Sequence, residues 1–185
     1  MRGLDVKGGI MIMKKHFLLF GGLIPAVIVG IDQLSKAWAI AKFKQPQNIC
    51  AINPFPNLEI EVSPVFDLAL VCNQGVSFGI FREHADIGRY LLSAFAIIMC
   101  LVLWAWLRKE KSKMVSLAIG LIIGGAIGNV IDRILYGAVT DFLNFSDIGF
   151  KWVFNVADAS INVGVACLLL SLVLQMRAEK KQAGA

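Results

Sequence analysis

Four apolar stretches separated by polar connections set the plan of this chain. A bilayer's hydrocarbon core needs about 20 helical residues at roughly 1.5 Å rise each. Phe17 to Ala41, Tyr90 to Leu107, Met114 to about Leu135, and about Val156 to Met176 meet or approach that length and predict four spanning helices. A period of two replaces the apolar runs between the first two spans. Leu58, Ile60 and Val62 alternate with Glu59, Glu61 and Ser63, Phe66 to Val71 is also strand-like, and Pro46, Pro54, Pro56 and Pro64 punctuate the segment. This predicts a small β module at about 42–82. Asn73-Gln74-Gly75 reads as a turn. The short, mixed-polarity stretch from Arg82 to Arg89 is consistent with a segment lying at the membrane surface.

Composition supports the same class. At 57% hydrophobic and 17% charged residues, with a mean hydropathy of +0.71, the chain is more apolar than soluble domains, which average about 45–50%. Residues 1–185 therefore read as a single polytopic membrane domain. The net charge of +5 does not point to nucleic acid, because the basic residues cluster beside apolar runs and not along one face. They report orientation instead. Arg2, Lys7, Lys14, Lys15, the cluster from Arg108 to Lys113, and Arg177, Lys180 and Lys181 fall on one side. Lys42, Lys44, Arg82, Arg89 and Lys151 fall on the other, with Lys36 and Arg133 just inside span ends. The positive-inside rule then makes both termini cytoplasmic and turns the Lys42 to Arg89 and Tyr136 to Asn155 connections outward.

Lys14-Lys15, the run from Phe17 to Ile31 and Ala37-Trp38-Ala39 together mimic a cleavable signal. Asp32 and Lys36 interrupt that pattern and three further spans follow, which favours an uncleaved anchor. The polar, Gly-rich tract before Met13 leaves the start at Met1 or Met13 open. Cys50 and Cys72 lie on the outward side, where a disulfide can form but is not required, while Cys100 and Cys167 suit small apolar positions within spans. No Cys or His cluster has metal-ligand spacing, so neither a metal nor a cofactor is expected. Gly120, Gly124 and Gly128 recur every four residues on the third span, with Gly125 beside them, and predict close helix packing.

The polar residues share one leaflet. Asp32 and Lys36 lie in the outer half of the first span, Asn129, Asp132 and Arg133 end the third, Asp141 follows, and Asn155 and Asp158 open the fourth. Each has a structural explanation of its own. Asp32 and Lys36 form an i,i+4 pair, Asn155 and Asp158 suit an N-cap with an acidic N3 residue, and Asp132 and Arg133 can cap or snorkel. None of these explains the common depth. Ionisable groups in a membrane are functional candidates, and antiparallel third and fourth spans bring Asp141 and Asp158 together. Two carboxylates in contact share one proton, the arrangement of aspartyl hydrolysis: one member activates water while the other protonates the carbonyl oxygen.

Five segments resemble the bacterial lipoprotein signal peptidases, the type II signal peptidases. They are Asp32-Gln33-Leu34-Ser35-Lys36, Asn73-Gln74-Gly75-Val76-Ser77-Phe78, Gly128-Asn129-Val130-Ile131-Asp132-Arg133, Val139-Thr140-Asp141-Phe142 and Phe154-Asn155-Val156-Ala157-Asp158. The resemblance implies a multi-pass aspartyl endopeptidase of the bacterial inner membrane that cuts before the lipid-modified cysteine. Its substrates would be diacylglyceryl-modified prolipoproteins, and it would work as a monomer among membrane lipids. The implied fold is four helices, a periplasmic β-sheet cradle and a short surface helix. Asp141 and Asp158 would be the catalytic pair, facing the periplasm. Asn73, Gly75, Asn129, Arg133 and Asn155 would line the site, and Asp32, Lys36 and Asp132 would be structural.

Other readings fit less well. Ser35 and Lys36 are adjacent on a helix and do not face each other as a Ser-Lys pair must. An ion-coupled transporter would use buried carboxylates, but near the midplane between repeats that this chain lacks. A non-catalytic scaffold fits the glycines but not the aspartate pair.

Overall fold

The structure, a computed structural model, describes residues 16–54, 56, 58–75 and 85–183. The apolar runs form helices α1 (His16–Lys42), α3 (Ala85–Leu107), α4 (Lys113–Tyr136) and α5 (Val156–Ala183), each containing a stretch long and apolar enough to cross a membrane. A single helical turn, α2 (Ile49–Ile52), follows α1. Of the surface segment expected at 82–89, residues 82–84 lie outside the described residues, as do Val76, Ser77 and Phe78 of the second motif. Residues 85–89 form the first turns of α3, so the second helix begins before Tyr90.

Burial ranks the helices. The apolar core of α4 is 61% buried, against 17%, 17% and 22% for those of α1, α3 and α5. The glycines explain this central position. A Cβ on Gly120 would meet the Phe20 carbonyl oxygen at 2.5 Å, one on Gly124 the Ile28 Cβ at 2.7 Å, and one on Gly128 the Asp32 Oδ2 at 2.6 Å. On its other flank, a Cβ on Gly125 would stand 2.4 Å from the Ala157 carbonyl oxygen. In lipid, where apolar side chains gain nothing by hiding from the solvent, this close backbone approach is what holds helices together. α1 carries a π-helical turn at Leu19–Leu23, where the Ile24 N–H reaches back to the Leu19 carbonyl. Pro25 follows at once, and its missing N–H and bulky ring disfavour regular hydrogen bonding there.

The sheet departs from the sequence expectation. Strands β1 (Leu58–Ser63) and β2 (Phe66–Asn73) form where the alternation placed them, but β3 (Val139–Phe145) and β4 (Phe150–Phe154) come from the connection between α4 and α5. The four strands pair antiparallel in the order β1-β2-β3-β4. The β module is therefore not confined to 42–82: both connections at this end of the bundle contribute half each. Leu70 and Ala138 pack with Ile40 and Ile49, and Phe142 and Leu68 pack with Ala39, which seats the sheet on the end of α1. A disulfide joins Cys50 in α2 to Cys72 on β2, with Cα atoms 5.4 Å apart.

Candidate active site

The C-terminal end of α4 supplies the floor. Asn129, Asp132 and Arg133 leave this helix where it meets the sheet, and Gly137 at φ +81° ends it with an N–H bonded to the Arg133 carbonyl. A left-handed residue after a helix favours glycine, and here it turns the chain sharply into β3. Asp141 lies three residues into that strand, 1% exposed.

Strand register brings the next group. Val71 pairs with Asp141 and Asn73 with Val139, so Asn73 is the diagonal neighbour of Asp141 on one face of the ladder. Asn73 Nδ2 donates to Asp141 Oδ2 at 3.0 Å. Its own Oδ1 accepts the Gly75 N–H at 2.8 Å, a turn in which Gly75 has φ +78°. The expected turn at Asn73-Gln74-Gly75 thus holds the donor that faces Asp141.

Asn155 joins the two aspartates. Its Oδ1 accepts the Asp158 backbone N–H at 2.8 Å, an N-cap of α5, while its Nδ2 donates to Asp141 Oδ1 at 2.6 Å. The capping arrangement expected for Asn155 and Asp158 is present, and the same side chain reaches across to the other carboxylate. Asp158 stands in the first turn of α5, where the helix dipole favours negative charge, and its Oδ1 accepts from Asn129 Nδ2 at 2.7 Å. Burial pushes the Asp141 carboxyl up to about 7, and the neighbouring Asp158 charge adds to that push against the opposing bonds from Asn73 and Asn155. Arg133 sits within electrostatic reach of Asp158, Asp141 and Asp132. Its buried Nε has no hydrogen-bond partner among the described residues.

Beneath the pair lies a second network. Lys36 Nζ contacts Asp32 Oδ2 at 2.8 Å and Asp132 Oδ2 at 3.0 Å, and donates to Asn129 Oδ1 at 3.2 Å. Asp32 Oδ1 accepts the Ala157 N–H at 2.9 Å, so α1 caps α5. Asp132 Oδ2 accepts the Thr140 N–H at 3.0 Å, and Gln33 Nε2 donates to Asp132 Oδ1 at 2.9 Å. Asp132 is 1% exposed, so it does not snorkel: it anchors the first residues of β3. Sequence reasoning singled out neither Gln33 nor Thr140. Gln33 lies within the first motif, and its place one residue after a buried aspartate was the available signal.

All ten singled-out residues therefore gather at the sheet end of the bundle. Asp141, Asp158, Asn73, Asn129 and Asn155 form one hydrogen-bonded group, with Gly75 and Arg133 beside it, and Asp32, Lys36 and Asp132 form the support. Such a set places two carboxyl groups in one hydrogen-bonded network, linked through Asn129 and Asn155.

Known proteins share this arrangement of segments. Residues 24–174 match the family model described as signal peptidase (SPase) II. The lipoprotein signal peptidase of Caulobacter vibrioides is 42% identical over 152 residues, covering 82% of this chain and 84% of the relative. That of Rhodopseudomonas palustris strain CGA009 is 38% identical over 165 residues, covering 86% and 95%. A bacterial membrane enzyme solved by the in meso method at 2.3 Å superposes with a TM-score of 0.66 at 26% identity, covering 83% of this chain and 87% of that one. Another, at 1.9 Å, gives a TM-score of 0.64 at 28% identity, covering 81% and 90%.

Proposed function

This chain belongs to the signal peptidase II family of multi-pass aspartyl peptidases that process lipoprotein precursors, and from that premise we propose that Asp141 and Asp158 are its catalytic pair. The observation that carries the proposal is the double role of Asn155, which binds Asp141 through Nδ2 and the Asp158 backbone through Oδ1. One side chain positions the Asp141 carboxylate and the backbone of Asp158.

The environments of the two aspartates divide the work. Asp141, with its carboxyl raised to about 7, is the protonated member. Asp158, in the first turn of α5 and accepting from Asn129, is the member placed to act as the base. Asp158 takes a proton from a water as its oxygen attacks the scissile carbonyl carbon, and Asp141 delivers its proton to the carbonyl oxygen. Collapse of the tetrahedral intermediate breaks the C–N bond while the amine leaves with a proton from the pair. Arg133 and Asn73 hold the substrate backbone.

Orientation follows from charge. The cluster from Arg108 to Lys113 and Arg177, Lys180 and Lys181 mark the cytoplasmic end, and the sheet end carries the Cys50–Cys72 disulfide expected of an oxidising compartment. The site then opens to the periplasm. Trp152, 72% exposed, and Phe150 stand on the outer strand of the sheet, where amphipathic aromatics mark a membrane–water interface. A precursor whose cysteine carries diacylglycerol keeps its acyl chains and signal helix in the bilayer and offers the preceding peptide bond at this surface. Asp32, Lys36 and Asp132 hold the helices under the pair without touching substrate.

Purified protein incubated with prolipoprotein bearing or lacking the diacylglyceryl group tests this. Cleavage of the modified form alone is expected, and Asp141→Asn or Asp158→Asn lowers the rate at least about 10²-fold while membrane insertion is unchanged. Near-normal turnover by either variant would overturn the assignment.

A further inference from the structure

At the end of the bundle away from the aspartates, two cavities follow one another along the helices. One is a cup lined by His16, Phe17, Arg108, Lys109, Glu110 and Lys111. The other is an apolar groove of about 590 Å³ between α1 and α3, lined by residues that include Gly22, Pro25, Val29, Cys100 and Trp104 and, from α4, Ile127. One helical turn separates them on each helix. Their boundary is aromatic: the Trp104 ring meets Phe17 edge-on with centroids 5.0 Å apart, and the Arg108 guanidinium lies 5.6 Å over the same indole.

The two linings call for one amphipathic ligand. Glu110, the acidic residue of the cup, has its Oε1 engaged by the backbone N–H groups of Lys111 and Ser112 at 2.8 and 2.7 Å. Arg108, Lys109 and Lys111 line the cup beside it, three basic side chains to one acidic. A buried ring nitrogen, His16 Nε2, has no hydrogen-bond partner among the described residues. These are donors suited to a phosphate. The groove lies within two membrane-spanning segments, where an acyl chain is the ordinary neighbour. Its small residues Gly22 and Ala26, beside Pro25 and the π-helical turn, leave space for that chain.

We propose that this cup and groove form a binding site for one anionic phospholipid, with its headgroup phosphate among His16, Arg108, Lys109 and Lys111 and an acyl chain along Gly22, Val29 and Cys100. Charge complementarity selects the headgroup, and the aromatic boundary sets its depth, since Trp and Arg are suited to the headgroup level. A zwitterionic phospholipid presents the same chains but carries a compensating cation, so it binds less well. The site is independent of the aspartates at the other end and stands whether or not they perform the cleavage.

Native mass spectrometry of the delipidated full chain in detergent, titrated with phosphatidylglycerol or phosphatidylcholine of identical acyl chains, tests the proposal. One phosphatidylglycerol is expected to be retained in preference to phosphatidylcholine. Arg108→Gln/Lys109→Gln/Lys111→Gln should weaken it about a hundredfold, from roughly fivefold for each basic side chain. Gly22→Leu keeps every charge and fills the groove, and because a Cβ at Gly22 meets nothing within 4 Å the change is compatible with folding. It too should lose the lipid. Arg177→Gln/Lys180→Gln/Lys181→Gln removes equal charge from the same end and should retain it. Equal loss from the last variant, unchanged binding to Gly22→Leu, or equal affinity for phosphatidylcholine would each overturn the site.

Discussion

Replacing Asp141 by Asn should change how stability depends on pH, and the structure sets both the sign and the size. The Asp141 carboxyl rises from an ordinary value of 3.8 to about 7 because it is buried and faces Asp158. Its folded-state value is above its unfolded one, so the folded protein holds the extra proton between these limits. The associated stability is present in full below about pH 4 and is lost as pH rises through about 7. A difference of about three units corresponds to about 4 kcal/mol at roughly 1.36 kcal/mol per unit. An amide does not titrate, so the variant lacks this slope.

A second effect is independent of pH. Asp141 accepts from Asn73 on Oδ2 and from Asn155 on Oδ1. A protonated carboxyl still accepts both bonds and donates one, whereas an amide accepts only through its oxygen, so the Asp141→Asn variant keeps one bond and sets a donor against a donor at the other. That costs about 1–3 kcal/mol at any pH. The two effects predict a crossing. Melting of the detergent-solubilised protein, followed by fluorescence from pH 4 to pH 8.5, should find the variant less stable than the parent in acid and equal or more stable above pH 7.5. A constant offset across the range is incompatible with this linkage, because it would mean that the carboxyl titrates alike in the folded and unfolded states.

Other positions give separate tests. Asp32→Asn removes one partner of buried Lys36, which keeps Asp132, and should lower stability by about 3 kcal/mol while turnover of the folded fraction falls less than tenfold. Normal melting together with abolished cleavage would contradict that. Gly125→Ala forces a Cβ to 2.4 Å from the Ala157 carbonyl oxygen and should destabilise by about 1–3 kcal/mol or more, whereas Gly30→Ala, with nothing within 4 Å, should leave melting unchanged. Cys50→Ser should lower stability by about 3 kcal/mol, the chain-entropy value for a separation of 22 residues, and dithiothreitol should shift the parent but not the variant.

What the sequence discloses depends on how local the cause is. The four helices follow from apolar runs whose length the bilayer fixes. β1 follows from alternation, and the Asn155 cap from a residue pair three apart. β3 escapes such reasoning because its partner β2 lies across two spans, and because Asp141 and Asn144 interrupt the apolar pattern of a strand. The link from Asp32 to the Ala157 N–H joins residues 125 positions apart, and nothing near either one announces it. Asp132 illustrates the same limit: at a helix end it reads as a group seeking water, but the turn at Gly137 folds β3 over it and supplies the Thr140 N–H instead.

The polar groups that hold the helices and those around Asp141 and Asp158 meet at one amide. Asn129 Oδ1 accepts from both Lys36 Nζ and Asn155 Nδ2, so its orientation is fixed and Nδ2 must point at Asp158. Gly128, the residue before it, permits α1 to approach until Asp32 lies against the α4 backbone, and Lys36, one turn along α1, is carried within reach of Asn129 by that approach. A side chain at Gly128 would push α1 away and withdraw the ammonium from Asn129, freeing the amide to flip. The glycine stripe thus does more than pack helices: by setting the separation of α1 from α4 to within a hydrogen bond's tolerance, it determines which end of an amide Asp158 meets.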